Sequence, residues 1–403
     1  MKSEDDVVTM SGIYVTLLDD PLWVGSVAPD DLPAATWPVL KAMLDAPGDK
    51  TGFFSITQEE DGLTLVMDAR CQAAFTETSH SVPVSYAPQK WLAFEIHLGA
   101  LAWEVPGVVC FLSTMMAESA ISILNLSTYD RDFLLVSEPD VQKASGVIRE
   151  SLQTDVDGLK EAMLELDVRR SASGHPEQLD APLSRETAPL CSWEDGVAEQ
   201  SGAAGDGFRG GGALAGGGAW GVTGSVEGAV LSHCNGLSCK LPLLRASQPG
   251  CAERGELYIK VLAAKLVVVQ LQLSMLQQST NALVKRLFFD TNAARRSFWS
   301  YTHTDCDVSL IIDETSLRDF PEGAILGPPT RWRAVKLCGH QFAFDETGVV
   351  SAMFAPYKER LPLLNVSTFS TNVTLVEEKD LDRALGAFEV ARIIVESEEH
   401  SDV

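Results

Sequence analysis

The chain has 403 residues, 45% of them hydrophobic, enough to bury several cores, so two to four domains are expected. Its 31 Lys and Arg against 56 Asp and Glu leave a formal charge of −25, which repels nucleic acid and anionic membrane and argues against both as partners. The opening MKSEDDVVTM lacks the cationic flank and apolar stretch of a secretory signal, and Val261–Leu276 is too short and polar to span a bilayer, so a cytoplasmic location is expected.

Gly12–Leu18 alternates apolar and polar residues as a first strand. Asp30-Asp31-Leu32-Pro33 opens a helix to about Ala46, which Pro47-Gly48 stops. Phe53–Thr57 and Leu63–Met67 read as a hairpin around the turn Glu59–Gly62. A second unit starts with a strand at Trp91–Leu98 and a loop to Pro106-Gly107. It continues with a helix to about Glu118 and a hairpin of Ile121–Thr128 and Asp132–Val136. Asp140 then begins a helix with Val141, Ala144, Ile148 and Leu152 on one face.

From Arg169 to Glu253 the composition turns to Ser, Gly, Pro and Ala, with RGGGALAGGGAWG at Arg209–Gly221. A phosphate loop needs a preceding strand and a following Lys-Ser/Thr, and this stretch has neither, so it reads as a flexible linker. Leu257–Val261 resumes as a strand, followed by a long helix to about Leu287.

The remainder repeats the first half. Trp332 to Gly348 spans the same 16 positions as Trp91 to Gly107, and Asn365, Ser367, Thr368, Leu375 and Val376 echo Asn125, Ser127, Thr128, Leu135 and Val136. Phe298–Asp313 (FWSYTHTDCDVSLIID) likewise echoes Phe53–Asp68 (FFSITQEEDGLTLVMD). A helix from about Asp380 buries Leu381, Ala384, Leu385 and Phe388. The chain is therefore an internal duplication of α+β character. Its units are placed at 10–80, 88–155, 255–325 and 330–395, with the linker at 169–253. Strand-helix-strand-strand-helix is the start of the ferredoxin-like βαββαβ pattern, although neither final strand nor any exchange of strands between units is legible.

The eight cysteines are scattered, and Cys234 and Cys239 beside His233 match no zinc spacing, so neither metal nor cofactor is expected. The seven histidines join no nucleophile and no paired carboxylates, and no nucleotide fingerprint or nucleophile elbow occurs, so no catalytic residue is assigned. Asn125, Asn365 and Asn372 begin formal glycosylation sequons, but on predicted strands, where they are coincidental.

FDETGVV at Phe344–Val350, VSTFSTNVTLVEE at Val366–Glu378 and AESAISILNLSTYDRDFLLV at Ala117–Val136 together resemble ACT domains, the small-molecule-binding ferredoxin-like modules. The arrangement of four ACT units in two duplicated halves is similar to the CASTOR family of cytosolic arginine sensors. That resemblance implies a non-catalytic protein whose second and fourth units enclose one free amino acid, arginine above all. Ligand binding would alter contact with a GATOR-like regulatory complex of the TOR pathway. It implies a homodimer, since ACT units usually pair. Carried over by position, the ligand contacts are Ser122, Ile123, Asp345, Glu346, Gly348, Val349, Thr368 and Phe369. Asn372 stands where the arginine sensors carry an aspartate, while Asp132, its duplicate, keeps the carboxylate.

Independent chemistry supports a pocket there. A helix starting at Gly348 offers unpaired N–H groups to a carboxylate, and Asp345 and Glu346 suit an ammonium or guanidinium. In the other half Glu104-Val105-Pro106 replaces Asp345-Glu346-Thr347, and Pro362 takes the place of Ser122, so one half brings the acids and the other the hydroxyl. The plain alternative is helix capping and a buried strand serine. An alternative function is that of an ACT regulatory protein or subunit controlling an amino-acid biosynthetic enzyme.

Overall fold

The structure, a computed structural model, describes residues 7–10, 13–44, 52–76, 82–97, 107–151, 257–290, 298–305, 307–327, 330–357, 361–369, 371–390 and 394–397. The expected linker at 169–253 and the Glu104-Val105-Pro106 loop lie outside the described residues.

The first half runs β1 (Val7–Met10), β2 (Ile13–Leu17), β3 (Trp23–Val27), α1 (Leu32–Leu44), β4 (Phe54–Glu59), β5 (Gly62–Met67), α2 (Ala69–Thr76) and β6 (Ser85–Tyr86). It continues with β7 (Trp91–His97), α3 (Val108–Glu118), β8 (Ile123–Ser127), β9 (Arg131–Ser137) and helix α4 over 141–151. The second half holds β10 (Tyr258–Leu271), α5 (Thr280–Val284), β11 (Phe298–His303), β12 (Val308–Asp313), β13 (Ile325–Leu326) and β14 (Arg331–Cys338). It closes with α6 (Val349–Phe354), β15 (Leu363–Ser367), β16 (Asn372–Glu377), α7 (Leu381–Val390) and β17 (Ile394–Ser397).

Pairing sorts these strands into four ferredoxin-like units, and it settles where the final strands come from. Unit 1 has the order β6-β3-β5-β4, so its first strand is Trp23–Val27, not the Gly12–Leu18 stretch expected from alternation. That N-terminal strand instead pairs antiparallel with β7, Tyr14 opposite His97, and completes unit 2 as β2-β7-β9-β8. The long helix expected after Val261 is also corrected. Residues 258–271 form one strand, and only short helical turns follow, including α5 and a wide turn at Lys285–Phe289. Its C-terminal part pairs with β12 and β13 inside unit 3, while its N-terminal part pairs with β14 as the fourth strand of unit 4. One strand thus does in the second half what β2 and β3 do separately in the first.

Units 1 and 3 join edge to edge through β4 and β11, and units 2 and 4 through β8 and β15. At each junction a residue meets its own repeat: Ile56 lies opposite Tyr301, and Leu126 opposite Val366. The halves are therefore related by a pseudo-two-fold axis, as in an isologous dimer written into one chain. The two resulting sheets face each other across a core containing Val24, Val66, Trp91, Phe133, Leu135, Leu266, Phe298, Trp332 and Leu375. Alternate residues look outward to the helices: Leu134 and Val136 pack with α3 and α4, and Leu63, Leu65 and Met67 with α1 and α2. Both faces of the inner strands are covered, so every residue of β4, β5, β11 and β12 is buried. The repeated tryptophans, Trp91 and Trp332, are buried at this centre.

Candidate functional site

Ser122 immediately precedes β8 and is nearly buried, and Ile123 packs into the unit 2 core. The opposing element is the loop between β14 and α6. Glycines in the left-handed region bound it, Gly339 at φ 92° and Gly348 at φ 84°, where a Cβ would strain the reversals. Inside the loop the Glu346 N–H donates to the Ala343 carbonyl at 3.0 Å, closing a turn. The Glu346 carboxylate folds back on the same loop, accepting the Ala343 N–H at 2.9 Å and lying 3.0 Å from His340 Nε2. Its backbone carbonyl accepts the Ser122 hydroxyl at 2.9 Å. The hydroxyl from one half and the acidic residue from the other do meet, but the contact uses the main chain of Glu346. Asp345 is exposed beside it.

Gly348 caps α6, which has six residues, and Val350 from that helix enters the unit 2 core. The helices α3 and α6 touch where the Thr114 and Ser351 hydroxyls lie 3.3 Å apart. Ser122, Ile123, Glu346, Gly348 and Val349 therefore share one locality at the unit 2–unit 4 boundary.

Thr368 and Phe369 lie at the far end of β15. The Thr368 N–H donates to the Thr371 carbonyl at 3.0 Å, and the Phe369 N–H donates to Thr64 Oγ1 of unit 1 at 2.9 Å. Phe344 connects this end to the loop, edge-on to Phe369 at 4.9 Å and 5.8 Å from Trp91. Asn372 is fully buried and belongs to the β8–β15 junction. It exchanges amide hydrogen bonds with Asn365 at 2.5 and 3.1 Å and donates to Ser367 Oγ at 3.1 Å. Across the axis the Asn125 N–H donates to Ser367 Oγ and the Asn365 N–H to Ser127 Oγ, both at 2.9 Å. The repeated N-x-S-T motif is therefore the hinge of the duplication, and all three sequon asparagines are buried. His340 partners the loop acid, a contact no spacing in the sequence signals.

A cavity of about 10 Å³ lies between the sheets, lined by Ser55, Thr57, Thr64, Asn125, Ser367 and Thr368, which is room for one water and not for an amino acid. A larger open cleft of about 760 Å³ between Glu314–Arg318 and Glu377–Lys379 touches none of the candidate residues. Among the described residues no cluster of His, Cys, Asp or Glu is arranged to hold a metal, and no helix is long and apolar enough to cross a membrane.

The ACT domain family model matches residues 86–150 and 328–389, the two units that meet at this locality. The human protein named cytosolic arginine sensor for mTORC1 subunit 1 is 23% identical over 90% of this chain and 93% of its own. Its mouse counterpart is 23% identical over 91% and 93%. Among solved structures, an aspartate kinase from Synechocystis aligns over 94% of this chain and 55% of its own at 10% identity, with a TM-score of 0.29. Two ACT matches stand at duplicated positions, and the chain is similar to the arginine sensors along nearly its whole length, the pattern of a tandem ACT-domain protein that is CASTOR-like.

Proposed function

We infer that this chain is a non-catalytic, cytoplasmic regulator that binds one free amino acid, arginine or a related one, between units 2 and 4. It would pass ligand state to a GATOR-like protein partner of the TOR pathway. The observation carrying this reading is the Ser122–Glu346 hydrogen bond, which links the two halves at the predicted ligand contacts. A ligand carboxylate or ammonium entering there competes for that bond, so occupancy and the position of the glycine-bounded loop are coupled. The names of the relatives support the ligand class and the pathway.

Calorimetry with free amino acids tests it. Glu346→Gln is expected to weaken a cationic ligand about tenfold, since a charge-assisted hydrogen bond contributes roughly 1.5–3 kcal/mol. Ser122→Ala is expected to cost about 1 kcal/mol. Unchanged binding in both variants places the ligand elsewhere. A pull-down recovering a biosynthetic enzyme in place of TOR-pathway regulators would replace the partner assignment. The protein is proposed to be a homodimer, and a monomer mass by light scattering at tens of micromolar would overturn that.

A further inference from the structure

The second half is open where the first half puts a tryptophan. Trp23 of β3 stands opposite Met67, and Leu22 bridges to Trp91. In the second half Val267 stands opposite Ile312, and Leu266 opposite Trp332. Met67 and Ile312 are repeat mates, as are Trp91 and Trp332, so Val267 holds the place of Trp23 and Arg331 that of Lys90. Trp23 packs partly buried on the helix-side core, and Lys90 Nζ lies over its ring, 4.6 Å from the centre. Val267 packs on the same core but carries no ring. Above it opens the cleft of about 760 Å³, with Leu317, Thr315 and Arg331 beside it.

The walls differ between the halves as well. Glu314, Arg318, Glu377 and Lys379 line the cleft, at positions where the first half has Ala69, Ala73, Ser137 and Pro139. Each wall acid already holds a cation. Arg331 Nε donates to Glu314 Oε2 at 2.5 Å, Lys379 pairs with Glu377, and Lys265 Nζ lies 3.2 Å from Glu378. Arg318 is exposed, and among the described residues it has neither an acid nor a hydrogen-bond partner. An apolar floor, room for a ring and one uncommitted guanidinium meet in one concavity, in a chain whose net charge is −25. A guanidinium matches a planar carboxylate through two parallel hydrogen bonds.

We propose that this cleft binds a small aromatic carboxylate. Its ring lies over Val267, in the place the Trp23 indole takes in the first half, and its carboxylate pairs with Arg318. The cleft shares no residue with the Ser122–Glu346 locality, so this second site stands apart from the amino-acid pocket.

Methyl NMR titration of the full chain tests it, with indole-3-carboxylate, indole and acetate as separate probes. Indole-3-carboxylate is expected to shift the Val267 and Leu317 methyl signals and to bind about tenfold more tightly than indole, the worth of one charge-assisted contact. Acetate, which lacks the ring, should not approach saturation at the same concentrations. Arg318→Ala should bring the acid down to the affinity of indole and leave indole itself unchanged. Val267→Trp, which restores the filler of the first half, should block both aromatic probes. If that buried variant does not fold, the exposed Arg318→Ala variant decides alone. An acid that binds no better than indole, an undiminished affinity in Arg318→Ala, or shifts confined to methyls away from the cleft would overturn the site.

Discussion

Asp132 and Asn372 hold the same place in the two copies, and the difference between them is an ionisable carboxyl against a neutral amide at a buried position. Asp132 is 7% exposed, and its carboxyl is pushed up to about 6 by burial, against the pull of the Ser127 hydroxyl donating to it at 2.5 Å. Because the folded value lies above the unfolded one, this residue stabilises the fold most in acid, and ionisation removes that contribution as pH rises through about 6. Asp132→Asn is therefore expected to raise stability at pH 7.5 by about 2–3 kcal/mol and to flatten the pH dependence above pH 5. Urea unfolding at several pH values checks it, and a variant less stable than the parent at pH 7.5 overturns it. The reciprocal change, Asn372→Asp, removes an amide that donates to Asn365 and Ser367 and puts a charge in its place, so it should destabilise at neutral pH. The sequence marks both positions through the repeat. That both are buried and bonded to the serines and asparagines of the β8–β15 junction comes only from the strand pairing.

At the scale of elements, the hairpins and the glycine-capped helices were legible because their signals are local. Gly107 and Gly348 both take left-handed conformations at helix starts, φ 106° and 84°, and the Phe53–Asp68 hairpin forms with its turn at Glu60-Asp61. The strand Tyr258–Leu271 was misread as strand then helix because a continuous apolar run carries no decisive period. Its Val267-Val268-Val269 core is β-branched, and partners on both edges decide for strand. Two glycines separate conformational strain from close contact. At Gly107 an added Cβ meets nothing within 4 Å, so Gly107→Ala should cost only the strain of a positive φ, about 1–2 kcal/mol. At Gly62, φ 131°, the Cβ would lie 2.3 Å from the Val27 carbonyl oxygen, so Gly62→Ala should cost distinctly more. Denaturant unfolding of the two variants ranks them, and equal losses would show that the hairpin shifts to make room.

At the scale of the whole molecule, the halves are held by strand pairing at β4–β11 and β8–β15 and by the core between the sheets. Residues 1–155 and 255–403 made as separate chains should therefore elute together at micromolar concentration, and halves that run apart on a sizing column would show that the covalent connection is required. The sequence by itself determined the duplication, the α+β class, the hairpins and the repeated motifs, because periodicity, glycine placement and repeat spacing are properties of neighbouring residues. It also singled out Ser122 and Glu346, though not the main-chain contact that joins them. Tertiary structure alone decided that the N-terminal strand completes unit 2, that one strand serves units 3 and 4, and that Asn372 lies in the junction network. Such choices rest on which distant edges meet. A strand accepts any partner that satisfies its backbone N–H and C=O groups and covers its apolar face, so identity of partner is set by the assembled cores and not by the strand's own residues.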